Sequence, residues 1–531
     1  MDGKSTASHG ALLLIALLAL PGEPARGAPA LAAATLPAAN AAAAPATTPA
    51  SAPAPAPAPV IADALVEMLR ERTEALAAGA SVSVDGQALK ATRTLPQLYR
   101  FGGFQPLWDV RRLRSLLELI SDVEDDGLLP ADYHRDTLER YVAQPALDAA
   151  ARLRLELLAS DAYALILYHL YFGKVDPVAL DAQWNFERRS IGERDAVRFV
   201  YEAITQNRVR ASVAQVRPDH PLYRFGRDAL AQYRGIAALG GWPTVPAGPT
   251  LKPGDRDPRV AVLRERLAVS GDLAPPPQAA AGADPLLFDA PLAAALQHFQ
   301  RRHRLTDDGA LGKGTLQALN VPVERRIAQI RANLERGRWV LHELNGEGPL
   351  VVVDIAGFAV RWLRDGREEW RTRAVVGKPF RQTPVFKSAI DHVVFNPTWT
   401  VPPTVLRQDV LPGVRKDPRY LDKHGLRVLD RNGQPVDPAS VDFTARSFPY
   451  TLRQDAGKDN ALGAVKIMFP NPYSVYLHDT PSKSLFERDQ RTFSSGCIRT
   501  ERPLELVERL LADPQRWNRA AIDAVVAQGE T

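Results

Sequence analysis

The chain has 531 residues, which is too long for one compact core and predicts about three domains. It carries 66 Lys and Arg against 61 Asp and Glu, so its formal net charge of +5 is small. The charges are spread along the chain without a long run of one sign. A nucleic-acid groove needs a basic stripe, so this composition argues against a nucleic-acid partner.

The first 30 residues have the pattern of a secretory signal. Lys4 supplies a positive start, residues 11–20 are all apolar, and Ala28-Pro29-Ala30 forms a small-residue cleavage site. The apolar run is far shorter than the roughly 20 residues that span a bilayer. We therefore predict export with removal of residues 1–30, and a short anchor that is never cut is the alternative.

The cysteine count limits the roles that cysteine can have in this chain. Cys497 is the only cysteine of the chain, so an exported form has no internal disulfide. Such a residue is either a small buried hydrophobe or a reactive thiol, and composition does not choose between them.

Residues 31–60 and 61–245 differ sharply in composition. The first stretch is nearly all Ala, Pro and Thr, which bury little and predict a stiff spacer. The second is predicted to be mainly helical, because segments such as 109–122 and 147–172 carry apolar residues at three- and four-residue spacing. It shows no catalytic constellation, which predicts a scaffold domain or a partner surface.

Residues 250–321 form a second unit. Its predicted core is supplied by two helices, and the residues are Val260, Leu263, Leu267, Leu296 and Phe299. Its turns and helix ends carry Asp255-Arg256-Asp257-Pro258, Phe299-Gln300, Asp308-Gly309 and Thr315-Leu316. On these motifs the unit resembles the peptidoglycan-binding domain built from three short helices.

The pattern changes after residue 321. Residues 322–345 predict one connecting helix, with Ile327, Ile330 and Leu334 on a common face. From residue 348 the apolar period becomes two and β-branched residues dominate. Residues 348–531 therefore predict a β-rich domain that closes with a helical tail at 504–512. The predicted fold class is multidomain α+β.

Two segments of this last domain carry the candidate chemistry. His478 ends an alternating strand, and Cys497 follows Ser495 and Gly496 nineteen positions later. A thiol is mostly protonated at neutral pH, so a nucleophilic cysteine needs a base or a positive charge beside it. We predict Cys497 as nucleophile and His478 as its base. Gly496 would let consecutive N–H groups point at an oxyanion.

Each of these residues also has a structural explanation. A lone cysteine beside a glycine is more often structural than catalytic, and a histidine at a strand end is more often a satisfied surface residue. Arg499 would either hold the turn together or bind a substrate carboxylate with a bidentate contact. Only the combination favours catalysis.

The domain closely resembles the L,D-transpeptidase catalytic domain, and its nearest pattern is that of the long periplasmic members. The resemblance covers roughly residues 251–503, with a weaker echo of the scaffold of these members at 104–108. The motifs that carry it are VGKPFRQTP at 376–384, NPTW at 396–399, NALG at 460–463, FPN at 469–471, the His478 segment and Ser494–Arg499. Shorter members carry a second histidine where this chain has Ser495, which puts in doubt any role for a second imidazole.

The resemblance implies a cysteine acyltransferase of the periplasm. It implies that Cys497 attacks a tetrapeptide stem of peptidoglycan, releases D-alanine and forms a thioester that an amine of another stem resolves as a 3→3 cross-link. It implies no metal or organic cofactor, and acylation by carbapenems. Other cell-wall synthesis proteins are candidate partners of the N-terminal domain.

Residues 404–459 have no place in a minimal sheet and are predicted to form a lid over the cysteine, the alternative being a passive surface insertion. Trp399 and Tyr476 are predicted to line the donor pocket, with ordinary core packing as the alternative.

Two other functions remain open. The same Cys–His pair would serve an L,D-carboxypeptidase, in which water resolves the thioester, or an enzyme that attaches proteins to the wall or detaches them. A non-catalytic peptidoglycan-binding scaffold is the other alternative, although a scaffold has no need of Cys497, His478, Gly496 and Arg499 together.

Overall fold

The structure is a computed structural model that describes residues 11–15, 58–180, 184, 186, 189–274, 284–345, 347–445 and 447–531. The chain divides into two compact units. One consists of Met1–Ala19, Asp176–Glu187 and Val340–Thr531, and the other of Leu20–Val175 and Arg188–Trp339.

The N-terminal predictions fall largely outside the described residues. Of the predicted signal, the structure describes one strand, β1 (Ala11–Ile15). Most of the spacer predicted at 31–60 is not described, but the first helix, α1 (Ala58–Ala77), already begins at its last three positions. Among the helices that the structure describes, none has the length and apolar character needed to cross a membrane.

The scaffold region is helical, with one short hairpin of β2 (Ser83–Val84) and β3 (Gln87–Ala88). Its remaining helices are α2 (Thr94–Phe101), α3 (Val110–Asp122), α4 (Arg135–Val142), α5 (Ala149–Phe172), α6 (Pro177–Leu180), α7 (Glu193–Thr205), α8 (Val213–Val216) and α9 (Pro221–Ala238). Asp109 and Asp148 cap α3 and α5 by accepting from backbone N–H groups three residues on. Helix α5 is buried along most of its length, which makes it the core of this region.

The second unit predicted from the sequence is present as three short helices. These are α10 (Arg259–Val269), α11 (Ala290–Arg302) and α12 (Lys313–Leu319). All five predicted core residues are fully buried there, Val260, Leu263, Leu267, Leu296 and Phe299. The connecting helix α13 (Val323–Val340) follows, and a 3₁₀ turn at Leu341–Asn345 completes the predicted span.

The last 180 or so residues are rich in strands, as predicted. The strands are β4 (Pro349–Asp354), β5 (Ala359–Arg364), β6 (Arg367–Gly377), β7 (Lys387–Ala389), β8 (His392–Phe395), β9 (Trp399–Thr400), β10 (Leu426–Leu429), β11 (Pro435–Val436), β12 (Thr451–Gln454), β13 (Val465–Met468), β14 (Leu477–His478), β15 (Thr492–Ser494) and β16 (Ile498–Thr500). The main sheet has the order β7-β1-β4-β5-β6-β16-β14-β13-β8, with β15 paired to β6.

Helices α17 (Pro503–Leu511) and α18 (Arg519–Gln528) pack on this sheet. Only the first was predicted. Leu506, Val507 and Ile522 from the two helices are fully buried in the same core as Ile467 and Ile498 of the sheet. The sheet therefore has one face covered by the chain terminus, which confirms the predicted multidomain α+β fold class.

The insertion predicted at 404–459 is a small subdomain with its own sheet. Strands β11, β10, β12 and β9 pair in that order. Between β9 and β10 lie three short helices, α14 (Pro403–Val405), α15 (Leu411–Lys416) and α16 (Tyr420–Lys423), and a π-helical turn at Leu406–Val410. Its core includes Val401, Val410, Leu426, Val428 and Leu452. This core is distinct from the core of the main sheet.

Candidate active site

The nucleophile segment is a tight connection between β15 and β16. Gly496 has φ +120, a backbone conformation that favours glycine, so the chain turns immediately before Cys497. The Gly496 carbonyl accepts a hydrogen bond from Thr383 Oγ1 at 2.8 Å, and Thr383 in turn accepts from the N–H of Gly377 at 3.0 Å. This chain of bonds holds the turn against the end of β6.

Ser494 braces the same turn from within. Its hydroxyl donates to the Cys497 carbonyl at 2.6 Å and accepts from the N–H of Gly496 at 3.2 Å. The Gly496 N–H is therefore engaged in this conformation. The following N–H, that of Cys497, has no acceptor among the described residues. The oxyanion role predicted for this turn, with Ser495 and Gly496, stays a prediction.

Cys497 is half-buried, and its thiol donates weakly to the Ser474 carbonyl at 3.8 Å. Burial raises the pKa of the Cys497 thiol. Hydrogen bonds from the backbone and the hydroxyl of Tyr476 lower that pKa, as do the positive charges of Lys466 and Arg499. Burial is the largest of these effects, so the resting group is a thiol with several groups ready to stabilise the thiolate.

His478 is buried, with 4% of its surface exposed. Its Nδ1 lies within hydrogen-bond distance of the carbonyl of Asp479, and this contact favours a proton on Nδ1 and a free lone pair on Nε2. Burial, reinforced by Arg499, lowers the pKa of His478 to about 3. The imidazole is thus neutral at physiological pH, as a general base must be.

The strand register relates the two residues. β14 runs parallel to β16, with Leu477 opposite Ile498 and His478 opposite Arg499. Tyr476 is therefore level with Cys497, and His478 lies two positions further along the neighbouring strand. The structure brings the predicted nucleophile and base to neighbouring positions on one face of the sheet.

The two predicted aromatic residues meet beside the thiol. The Tyr476 ring packs edge-on to the His478 ring, with centroids 5.6 Å apart. Burial raises the pKa of its hydroxyl, and interactions with Cys497 and with Trp399 shift that pKa in opposite directions. Trp399 also packs on the core of the insertion. Tyr476 thus has contacts beyond ordinary core packing. Trp399 fits both predictions, because it packs in the core of the insertion and also interacts with Tyr476.

Arg381 was not singled out from the sequence. Its guanidinium donates to Ser495 Oγ at 2.9 Å, to Gln408 Oε1 at 3.1 Å and to Asp409, with which it forms an ion pair. Gln408 and Asp409 belong to the π-helical turn of the insertion, and Ser495 is two residues before the nucleophile. We call this set the latch: Arg381, Gln408, Asp409 and Ser495. The only sequence signal for it is that Arg381 lies in the VGKPFRQTP motif.

Lys466 was likewise missed as a site residue. It lies on β13 directly opposite His478, and its ammonium is 4.1 Å from the centroid of the Tyr476 ring. The alternation of β13, with Val465 and Ile467 buried, is the signal that places Lys466 on the other face, toward the predicted site.

Comparison with known proteins gives three domain matches. Residues 93–230 match the family described as "Scaffold domain", residues 256–319 the one described as "Putative peptidoglycan binding domain", and residues 348–516 the one described as "L,D-transpeptidase catalytic domain".

One curated relative is a protein of Haemophilus influenzae named "Putative L,D-transpeptidase". It is 36% identical over 234 residues, which are 43% of this chain and 47% of that protein. The match thus spans about half the length of the relative. The chain thus contains, in this order, regions that match a scaffold domain, a peptidoglycan-binding domain and an L,D-transpeptidase catalytic domain.

Proposed function

We propose that this protein is a peptidoglycan L,D-transpeptidase that forms 3→3 cross-links through a Cys497 thioester. The observation that carries the proposal is the state of His478. A buried neutral imidazole, with Nδ1 bound to a backbone carbonyl, shares a sheet face with the only thiol of the chain. This is the arrangement that activates a cysteine for acyl transfer.

The proposed reaction has two acyl transfers. Nε2 of His478 takes the thiol proton while Sγ of Cys497 attacks the carbonyl carbon of the third residue of a tetrapeptide stem. The bond to the fourth residue breaks, the leaving amine takes the proton from His478, and D-alanine departs. The diaminopimelate side-chain amine of a second stem then attacks the thioester, His478 takes its proton, and the thiolate leaves and is reprotonated.

The thiol bond to the Ser474 carbonyl must be exchanged for one to His478 before attack. Hydrogen bonds of this kind are often long or poorly aligned without substrate and tighten when it binds. When Cys497 is a thiolate, the Tyr476 hydroxyl and the positive charges of Lys466 and Arg499 stabilise it in place of water.

In this proposal the insertion at 404–459 acts as a lid that decides whether an amine or water attacks the thioester. The latch joins the insertion to the loop that holds the nucleophile, so closure would exclude water from the thioester. Arg381 is suited to this because its side chain is only 10% exposed, which shields the ion pair with Asp409.

The three domains support peptidoglycan as substrate and a site of action at the cell wall. We extend this to the periplasm, after removal of residues 1–30, and to the N-terminal domain as a contact surface for other cell-wall synthesis proteins. Edman sequencing of the protein recovered from a periplasmic extract checks the first point: a mature N-terminus near residue 31 supports it, and an intact Met1 contradicts it.

Mass spectrometry of disaccharide-tetrapeptides tests the reaction. The full-length protein is compared with Cys497→Ala and with His392→Gln, a change of an exposed histidine on the same sheet. We expect a 3→3 dimer from the parent and from His392→Gln and no product from Cys497→Ala. Tripeptide monomer without dimer would mean a carboxypeptidase, and no product from any form, with peptidoglycan still bound, would leave a wall-binding scaffold.

The same proposal predicts a carbapenem adduct on Cys497. Intact-mass analysis should show one added carbapenem on the parent and none on Cys497→Ala, because the thioester is the stable form of the acylated enzyme. An adduct on the alanine variant would place the nucleophile elsewhere.

A further inference from the structure

Three polar residues lie in register across three neighbouring strands of the catalytic sheet. Lys466 on β13 is opposite His478 on β14, and His478 is opposite Arg499 on β16. Directly paired residues of neighbouring strands project from the same face, so the general base has a cation on each side. We call Lys466 and Arg499 the flanking cations.

The flanking cations have no acidic partner in the part of the chain that the structure describes. Among the described residues, neither is within ion-pair distance of a carboxylate, and the buried Nε of Arg499 has no hydrogen-bond acceptor. Buried polar groups are nearly always paired, because an unmade hydrogen bond to a charged group is costly. An unpaired guanidinium at a candidate active site therefore indicates a ligand that completes it.

Two acidic side chains that are close in sequence to His478 and Arg499 have other partners. Asp479, next to His478, binds Lys483 and the N–H of Ala464. Glu501, two residues after Arg499, binds Arg373. These two carboxylates are thus neutralised by other groups, and the charges of Lys466 and Arg499 remain available to a ligand.

Both cations are directed to the reaction centre. Lys466 lies over the Tyr476 ring at 4.1 Å, and its positive charge lowers the pKa of the Cys497 thiol. Arg499 is two residues from Cys497 along the same strand direction, which puts the two side chains on one face. An anionic group held between them would be adjacent to the thiol.

We propose that Lys466 and Arg499 form a carboxylate subsite that recognises a free carboxylate of the donor peptide beside the bond to be broken. This deepens the proposed function and rests on it. Two sources supply that chemistry, the terminal carboxylate of the leaving residue and the side-chain carboxylate of the third residue.

Binding rather than turnover tests the subsite. Calorimetry on the full chain carrying Cys497→Ala uses three synthetic donors: the tetrapeptide with both carboxylates free, with the terminal carboxylate amidated, and with the third-residue carboxylate amidated. We expect one of the amides to bind about tenfold or more weakly than the free acid, as the loss of a charge-assisted contact implies. The weaker amide identifies the source.

Substitution of Lys466 then ties the selectivity to the subsite. Lys466→Gln should weaken binding of the free-acid donor by a similar factor. It should leave binding of the weaker amide nearly unchanged, and Lys466→Arg should restore the preference for the acid. Lys387→Gln is the control, since Lys387 lies on the same sheet but is paired with Glu343. Thermal unfolding of each variant excludes a loss of fold.

Equal binding of all three donors would overturn the subsite, and so would equal weakening of all three by Lys466→Gln. Product formation by the protein with Cys497 intact is measured separately and decides the proposed function. A protein that cross-links but does not distinguish acid from amide therefore loses only the subsite, whereas absence of donor binding and of product overturns both.

Discussion

The core of the scaffold region and the face of the catalytic sheet that carries His478 both contain buried ionisable groups. The two regions differ in whether those groups have hydrogen-bond partners. In the scaffold, the carboxylate of Glu156 on α5 accepts from the N–H groups of Leu107 and Trp108 at 2.9 and 3.1 Å, and from the Tyr99 hydroxyl at 3.1 Å. Asp161, one turn on, accepts from two backbone N–H groups and contacts His134 at 2.7 Å.

On the face of the catalytic sheet that carries His478, the flanking cations pair with no carboxylate among the described residues, and the His478 imidazole uses one nitrogen on a backbone carbonyl. This difference in hydrogen bonding distinguishes groups that stabilise the fold from groups that can bind a substrate. A buried polar group with all its bonds made holds segments together, here the 104–108 segment against α5, whereas a buried group with bonds unmade is available to a substrate.

The sharpest test of this contrast is His478→Gln. Removal of a general base costs about 10²–10⁴-fold in rate, and the rate of dimer formation should fall by that factor. The amide of glutamine can still reach the Asp479 carbonyl, so the stability of the fold should change little. Rates from mass spectrometry and a urea unfolding curve measure both; a large loss of stability with a small loss of rate would contradict the assignment.

Glu156→Ala should show the reverse pattern. It leaves the buried N–H groups of Leu107 and Trp108 without their acceptor and removes the carboxylate near Arg152, and should lower the free energy of unfolding by about 3–5 kcal/mol. The rate per folded molecule should be unchanged. Glu139→Ala, which removes an exposed i,i+4 partner of Arg135, is the control and should cost less than about 0.5 kcal/mol.

The two regions should also respond to pH with opposite signs. The pKa of His478 is lowered from 6.5 to about 3, so the unfolded chain binds more protons and the stability from this residue is lost as pH falls below 6.5. Burial raises the pKa of Glu156 from 4.5 to about 7, so the folded chain binds more protons and its contribution is lost as pH rises toward 7.

Urea unfolding at pH 5 and pH 7 measures these slopes. From pH 5 to pH 7 the stability difference between parent and His478→Gln should shift in favour of the parent, and that between parent and Glu156→Gln should shift against it. Parallel shifts for the two variants would contradict the comparison.

The smallest effect is expected at the latch. Arg381→Gln removes the ion pair to Asp409 and the bond to Ser495, and a pair of this kind contributes about 1 kcal/mol, or roughly a fivefold shift toward an open lid. The ratio of tripeptide to dimer should rise accordingly, because water reaches the thioester. Arg407→Gln, in the same turn but bonded only to the Pro403 carbonyl, should leave the ratio unchanged.

Local patterns were sufficient for much of this molecule. The three- and four-residue spacing of apolar positions predicted the ends of α3 and α5 to within two residues, since helix periodicity is a property of consecutive residues. The strand of His478 and the turn of Gly496 were read from single segments in the same way. Helix α18 was missed because its ten residues are mostly alanine and valine with a weak polar face.

The sequence by itself determined the order of the regions, their helical or strand character, and the identity of the nucleophile and base as candidates. Only the tertiary structure decided that Lys466, His478 and Arg499 share a row, that Arg381 reaches Asp409, and that the insertion has a sheet of its own. The physical reason is that strand register and side-chain pairing depend on contacts between segments far apart in the chain. A shift of one residue would move every side chain to the other face, and no local pattern encodes it.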